Sequence, residues 1–110
     1  MTLFEKIIAG QIPATLVYQD DHVVALRDIN PQAPTHLLVV PRKPIPRLDA
    51  AADADAELLG RCLLAANKVA KQEGLGSFRL VINTGEDAGQ TVFHLHLHVL
   101  GGRRMSWPPG

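Results

Sequence analysis

From His94 to Val99, histidine and apolar residues alternate without a break: His-Leu-His-Leu-His-Val. Alternation marks a half-buried strand, because successive strand side chains point to opposite faces. Leu95, Leu97 and Val99 are expected on the core face, with His94, His96 and His98 along the other at intervals of roughly 7 Å, twice the rise of one strand residue. This strand is expected over residues 91–100. At the other end of the chain, Thr2 followed by Glu5 fits a capping box, predicting a short helix over residues 3–9 that Gly10 ends. Apolar and β-branched residues over 14–18 and 23–28 flank the polar turn Gln19-Asp20-Asp21-His22 and predict a hairpin. Pro31 and Pro34 break the pattern. The apolar run closed by Pro41 predicts a central strand over 37–40, buried on both faces. Pro44 and Pro46 then force a loop.

The acidic, alanine-rich stretch 49–57 leads into one long helix. Its apolar stripe is Leu58, Leu59, Cys62, Leu63, Ala66, Val69 and Ala70, at three- and four-residue spacing, and Gly74 with Gly76 stops it. Residues 78–83 predict another strand, and 84–90 a glycine-bearing loop that runs into the histidine strand. Strands paired by hairpins, with one short and one long helix, predict an α+β fold with a mainly antiparallel five-stranded sheet.

The chain has 110 residues, 46% of them apolar, which predicts one domain over 1–110, small enough to favour oligomerisation. Eleven basic residues balance eleven acidic ones, so bulk attraction to nucleic acid or to an anionic membrane is not expected. Small anionic substrates remain open. The lone Cys62 cannot form an internal disulfide, and neither a secretory leader nor a bilayer-length apolar stretch is present, so the cytoplasm is the expected compartment.

Three readings of the histidine run differ in their chemistry. Solvated surface residues are the simplest. A metal site is a second, since imidazoles two apart can converge on an ion and Asp28 could complete the set, but no paired Cys or His-Glu motif strengthens it. The third is nucleophilic attack at phosphorus. An imidazole with a pKa near about 6.5 is largely unprotonated at neutral pH and attacks without a separate base. His96, flanked by an imidazole on each side, is the natural nucleophile. In the loop just upstream, Gly85 to Thr91, glycines permit close backbone approach to a ligand, turn amides can cup phosphate oxygens, and the Thr91 hydroxyl adds a donor.

Gly89-Gln90-Thr91-Val92-Phe93 followed by His94-Leu95-His96-Leu97-His98-Val99 resembles the signature of the histidine-triad (HIT) superfamily of nucleotide hydrolases and transferases. Residues 4–13, Asp28 to His36 and the tail Gly101 to Gly110 are similar to its Hint branch, so the likeness spans nearly the whole chain. Thr91 stands where that branch often carries serine, and keeps the hydroxyl. The resemblance implies a HIT-like fold whose sheet continues across a homodimer, and a purine nucleoside phosphoramidase without a cofactor or metal. Its substrates would be adenosine or guanosine 5'-phosphoramidates, including aminoacyl-adenylate-like compounds, with a nucleoside monophosphate released.

By that resemblance His96 attacks and carries the nucleotidyl group. His98 and Asn83 contact the phosphate or leaving group, His94 and His36 support the nucleophile, and Thr91 binds phosphate and assists the departing amine, with Gly89, Gln90 and Val92 beside it. Asp28 holds the ribose hydroxyls. Leu3, Phe4, Ile7, Ile12, Leu26, Ile29 and Leu38 form the base pocket, although each taken singly reads as ordinary core. Trp107, in a tail too short and proline-rich to fold alone, is implied to reach the partner subunit near its site; Arg103 and Arg104 read either as orienting that tail or as flexible surface charge. The alternatives are a dinucleoside polyphosphate hydrolase or nucleotidyl transferase of the same superfamily, a metal enzyme, and a nucleotide-binding interaction module.

Overall fold

A computed structural model describes residues 1–110. Along the chain run α1 (Leu3–Ile8), β1 (Leu16–Gln19), β2 (Val23–Arg27), β3 (Thr35–Pro41), α2 (Ala56–Gln72), β4 (Phe78–Val81) and β5 (Leu97–Gly101). The strands form one sheet in the order β1-β2-β3-β5-β4, with every neighbouring pair antiparallel. The expected α+β fold, with a five-stranded sheet, one short helix and one long helix, is therefore the observed one. β3 lies in the middle, which is why Leu37 to Val40 are buried without alternation.

The two faces of the sheet divide the molecule. Val23, Ala25, Leu37, Val39, Leu97 and Val99 pack against Cys62, Ala65, Ala66, Val69 and Ala70 of α2. Residues of the opposite parity, Val24, Leu26, Leu38 and Val40, pack under Phe4 of α1, with Ile7, Ile8 and Val92 alongside. His36 and His98 share that second parity, so strand alternation alone turns both towards α1.

The buried stripe of α2 differs from expectation. Leu63 is half exposed, and Ala65 takes a place in the core that the pattern did not assign. Small side chains face the sheet here, so the helix sits close to it, and the bulkier leucine turns out to the flank. α1 stops at Ile8 with Ala9 as its C-cap, and β4 stops at Val81 rather than at 83.

The largest correction concerns the histidine strand, which begins at Leu97 and not at residue 91. In register, Val39 pairs with Leu97, so Pro41 would come next opposite Leu95. Proline has no N–H to donate, and the ladder ends there. The Leu95 N–H turns instead to the Ile45 carbonyl at 2.7 Å, and the His94 ring takes the Pro41 carbonyl at 2.7 Å. Of the three histidines, His98 alone lies on β5. No helix is long and apolar enough to cross a membrane.

Candidate active site

A cavity of about 250 Å³ opens on the α1 face of the sheet. All seven apolar residues expected around the base line it: Leu3, Phe4 and Ile7 from α1, Ile12 after it, Leu26 of β2, Ile29 just after that strand, and Leu38 of β3. Ile29 is 98% exposed at the lip, an apolar side chain left open where a ligand would enter. Asp28, Thr91, His96 and His98 form the polar side, with Val92 beside them. Pro13, Ala14 and Arg27 also line it and were not anticipated. Arg27 has the strand parity of the α2 face, and its guanidinium pairs with Glu73 beyond the end of α2, so charge pattern gave no hint of this position.

Hydrogen-bond partners assign the proton on each imidazole, since a carbonyl only accepts and an amide N–H only donates. His94 is fully buried; its Nε2–H donates to the Pro41 carbonyl, leaving Nδ1 to accept from Thr2 Oγ1 at 3.4 Å. The same hydroxyl accepts the Glu5 N–H at 3.2 Å, while Glu5 Oε1 accepts the Thr2 N–H, so the capping box of α1 also seats His94. His96 donates Nδ1–H to the His94 carbonyl at 2.8 Å. Its Nε2 keeps the lone pair. The ring stands edge-on to Phe4 and to His98, with centroids 4.9 Å and 5.1 Å away.

His36 sits behind His98, outside the residues that line the cavity. The Gln32 N–H donates to its Nδ1 at 3.0 Å, so the proton is on Nε2, which donates to His98 Nδ1 at 2.8 Å. His98 then carries its proton on Nε2. Asp28 Oδ2 lies 3.4 Å from His36 Nε2, and its other oxygen accepts the Asn30 N–H at 2.8 Å, so Asp28 is both a turn residue and a cavity acceptor.

The loop after β4 is built around Gln90. Its buried side chain accepts the Gly85 N–H and donates to the Pro46 and Val92 carbonyls, and the amides of Ala88, Gly89 and Gln90 are spent inside the loop. Gly89 and Gln90 thus offer no amide to a phosphate, contrary to expectation. The amides of Thr91 and Val92, on the cavity wall, have no acceptor within the protein. Asn83 lies against Gly89, whose φ of +93° and close neighbour both favour glycine, and does not line the cavity.

This geometry accompanies a family match. A model of the HIT domain matches residues 9–105. The chain belongs to the HIT family. A HIT-like protein of Synechocystis is 59% identical over 99% of this chain and 96% of its own. A 14 kDa zinc-binding protein of Zea mays is 52% identical over 99% and 88%. The crystal structure of a HIT family hydrolase from Legionella pneumophila superposes with a TM-score of 0.97 at 52% identity, covering all of both chains.

Within this HIT site, burial holds the imidazoles of His36, His96 and His98 neutral. Desolvation is the first cause lowering the pKa of His36 and of His96, and it takes His98, with neighbouring His96 and His36 adding to it, down to about 4. A folded-state pKa below the unfolded value of 6.5 means that the unfolded chain binds the proton first as pH falls. Thermal stability is therefore expected to drop between pH 6.5 and about 4, and His98→Phe should flatten that dependence in a pH series of melting curves.

Ligand atoms of Asp28, His36 and His98 lie within 4.8 Å of one another, close enough for one ion. Binding through His36 Nε2 would move its proton to Nδ1, against the Gln32 N–H. The arrangement as built suits a hydrogen-bond relay better than a metal centre. Trp107 is 82% exposed and lies over the edge of β4, near Leu80 and Ile82, away from its own chain's cavity.

Proposed function

We propose that this HIT protein hydrolyses the phosphorus–nitrogen bond of purine nucleoside 5'-phosphoramidates through a nucleotidyl group held on His96. The observation that carries the reading is the state of His96: Nδ1–H is committed to the His94 carbonyl, and the free Nε2 lone pair belongs to a residue of the cavity wall. Depressed basicity keeps that lone pair unprotonated at neutral pH. Apolar walls suit a flat base, Asp28 accepts from ribose hydroxyls, and the free Thr91 and Val92 amides with the Thr91 hydroxyl face the phosphate.

In the first step Nε2 bonds to phosphorus as the phosphorus–nitrogen bond breaks. The bond pair goes to the amine nitrogen, which takes a proton from water and leaves as the free amine. Positive charge appears on His96, and the His94 carbonyl stabilises it through Nδ1–H. Water then attacks phosphorus, its proton neutralising the hydroxide left by the first step, which releases the nucleoside monophosphate and returns the lone pair to Nε2. His98 Nε2–H donates to a phosphate oxygen throughout.

We read the chain as one HIT domain ending in the tail 101–110, working in the cytoplasm as a homodimer joined through the open edge of β4. Exposed Phe78 on that edge, Leu63 and Leu64 on α2, and uncovered Trp107 support that assembly. The fold family is shared with dinucleoside polyphosphate hydrolases and nucleotidyl transferases, so the deciding assay compares substrates. Turnover of an adenosine 5'-phosphoramidate, with only background cleavage of a diadenosine polyphosphate, is expected, and the reverse order would reject the assignment. The maize relative's name and the closeness of Asp28, His36 and His98 support a metal-assisted reading. Activity that survives exhaustive chelation is expected; loss on chelation with recovery on adding zinc would favour the metal instead.

A further inference from the structure

The tautomer of His98 decides whether the phosphate meets a donor or a lone pair, and the residue that sets it is not in the cavity. We propose that Arg103, in the segment after β5, is a positioning residue for His98, acting through Gln32 and His36. Arg103 Nε and one Nη both donate to the Gln32 carbonyl, at 3.3 Å and 3.1 Å, and its other Nη donates to the Arg104 carbonyl at 3.2 Å. No carboxylate pairs with this guanidinium. Its fork is spent on backbone, a use that fixes a chain segment in place.

Gln32 is held from two more directions. Its side-chain amide donates to the Asn30 carbonyl at 3.0 Å, and its N–H points at His36 Nδ1 at 3.0 Å. Residues 30–34 lie between strands and contain two prolines, so no sheet ladder holds this N–H on its target. Arg103 supplies that hold from the far end of β5. His36 and His98 are diagonal neighbours across the β3–β5 pair, since His36 lies opposite Leu100 and His98 opposite Leu38. One orientation of the Gln32 N–H is thereby passed across the sheet. Inverting the pair would set two N–H donors face to face at Nδ1 of the buried His36 ring.

The inference rests on the proposed use of His98 as a phosphate donor, but its first test needs no substrate. Nitrogen-15 spectra of the histidine rings at neutral pH distinguish a protonated Nε2 from a protonated Nδ1. In the wild-type protein His36 and His98 are both expected as the Nε2–H form; a His98 protonated on Nδ1 overturns the proposal. In Arg103→Ala, a mixture of forms is expected at His98, with Arg103→Lys restoring most of the wild-type signal. A His98 signal unchanged by Arg103→Ala, in a variant whose melting curve shows it folded, removes Arg103 from the relay. If the protein hydrolyses phosphoramidates, Arg103→Ala should also lower kcat about tenfold, the loss of one well-oriented hydrogen bond, with KM within about twofold. Ring spectra as expected in a protein that cleaves no phosphoramidate would refute the enzyme reading and leave the relay standing.

Discussion

His96→Ala is expected to abolish turnover of a nucleoside phosphoramidate, lowering kcat on the order of 10⁴- to 10⁶-fold, while nucleoside monophosphate binding changes little. Removing a nucleophile removes the covalent route and leaves only the slower attack of water on a bound substrate. Binding is expected to survive because the proposed base, ribose and most phosphate contacts belong to other residues of the cavity: the apolar wall, Asp28, and the Thr91 and Val92 amides. The substitution opens space at the cavity wall, and the freed His94 carbonyl faces that space. Single-turnover kinetics with calorimetry on the same variant checks both halves. Near-normal turnover would place the chemistry elsewhere, and loss of binding together with turnover would mean that His96 holds the ligand without attacking.

His98→Ala carries the second large effect. A donor aimed at phosphate oxygens gains strength as charge accumulates on them in the transition state, and losing it is expected to lower kcat about 10²- to 10³-fold. That loss should be nearly the same for good and poor leaving amines. The reason is the tautomer: His36 Nε2–H occupies His98 Nδ1, and the Gln32 N–H prevents His36 from giving way, so His98 keeps one proton and cannot cycle as an acid. Measuring kcat across amines of graded basicity decides between the two roles. A loss that grows steeply as the amine becomes a poorer leaving group would make His98 the proton donor to nitrogen.

Much of this site was legible because strand parity is a local property. His98 follows from alternation with Leu97 and Val99, and the seven apolar wall residues, expected from the family resemblance, all surround the cavity. The capping box at Thr2 was legible for the same reason, since its two partners are three residues apart. What failed depended on pairing across the chain. The alternation from His94 onward reads as one strand, yet its partner at the critical register is Pro41, and a missing N–H on β3 converts half of that strand into an irregular segment. His94 is consequently a buried brace whose carbonyl serves His96, rather than one more imidazole on a row. Gln90, which reads as a ligand contact, has its side chain committed to its own loop and to Pro46. Nothing in the local pattern at Gln32 or Arg103 signals their contacts, because one acts through a backbone N–H and the other through a backbone carbonyl 71 residues away.

Nucleophilic attack by His96 is tested most directly by stopping the reaction within its first turnover and mapping the modified peptide by mass spectrometry. Denaturation at alkaline pH preserves a phosphorus–nitrogen linkage to imidazole for that purpose. A nucleoside monophosphate mass on His96, appearing as the amine is released and absent from His96→Ala, is the predicted result. The same mass on His94 or His98, or amine release with no covalent species at any time, would contradict the account.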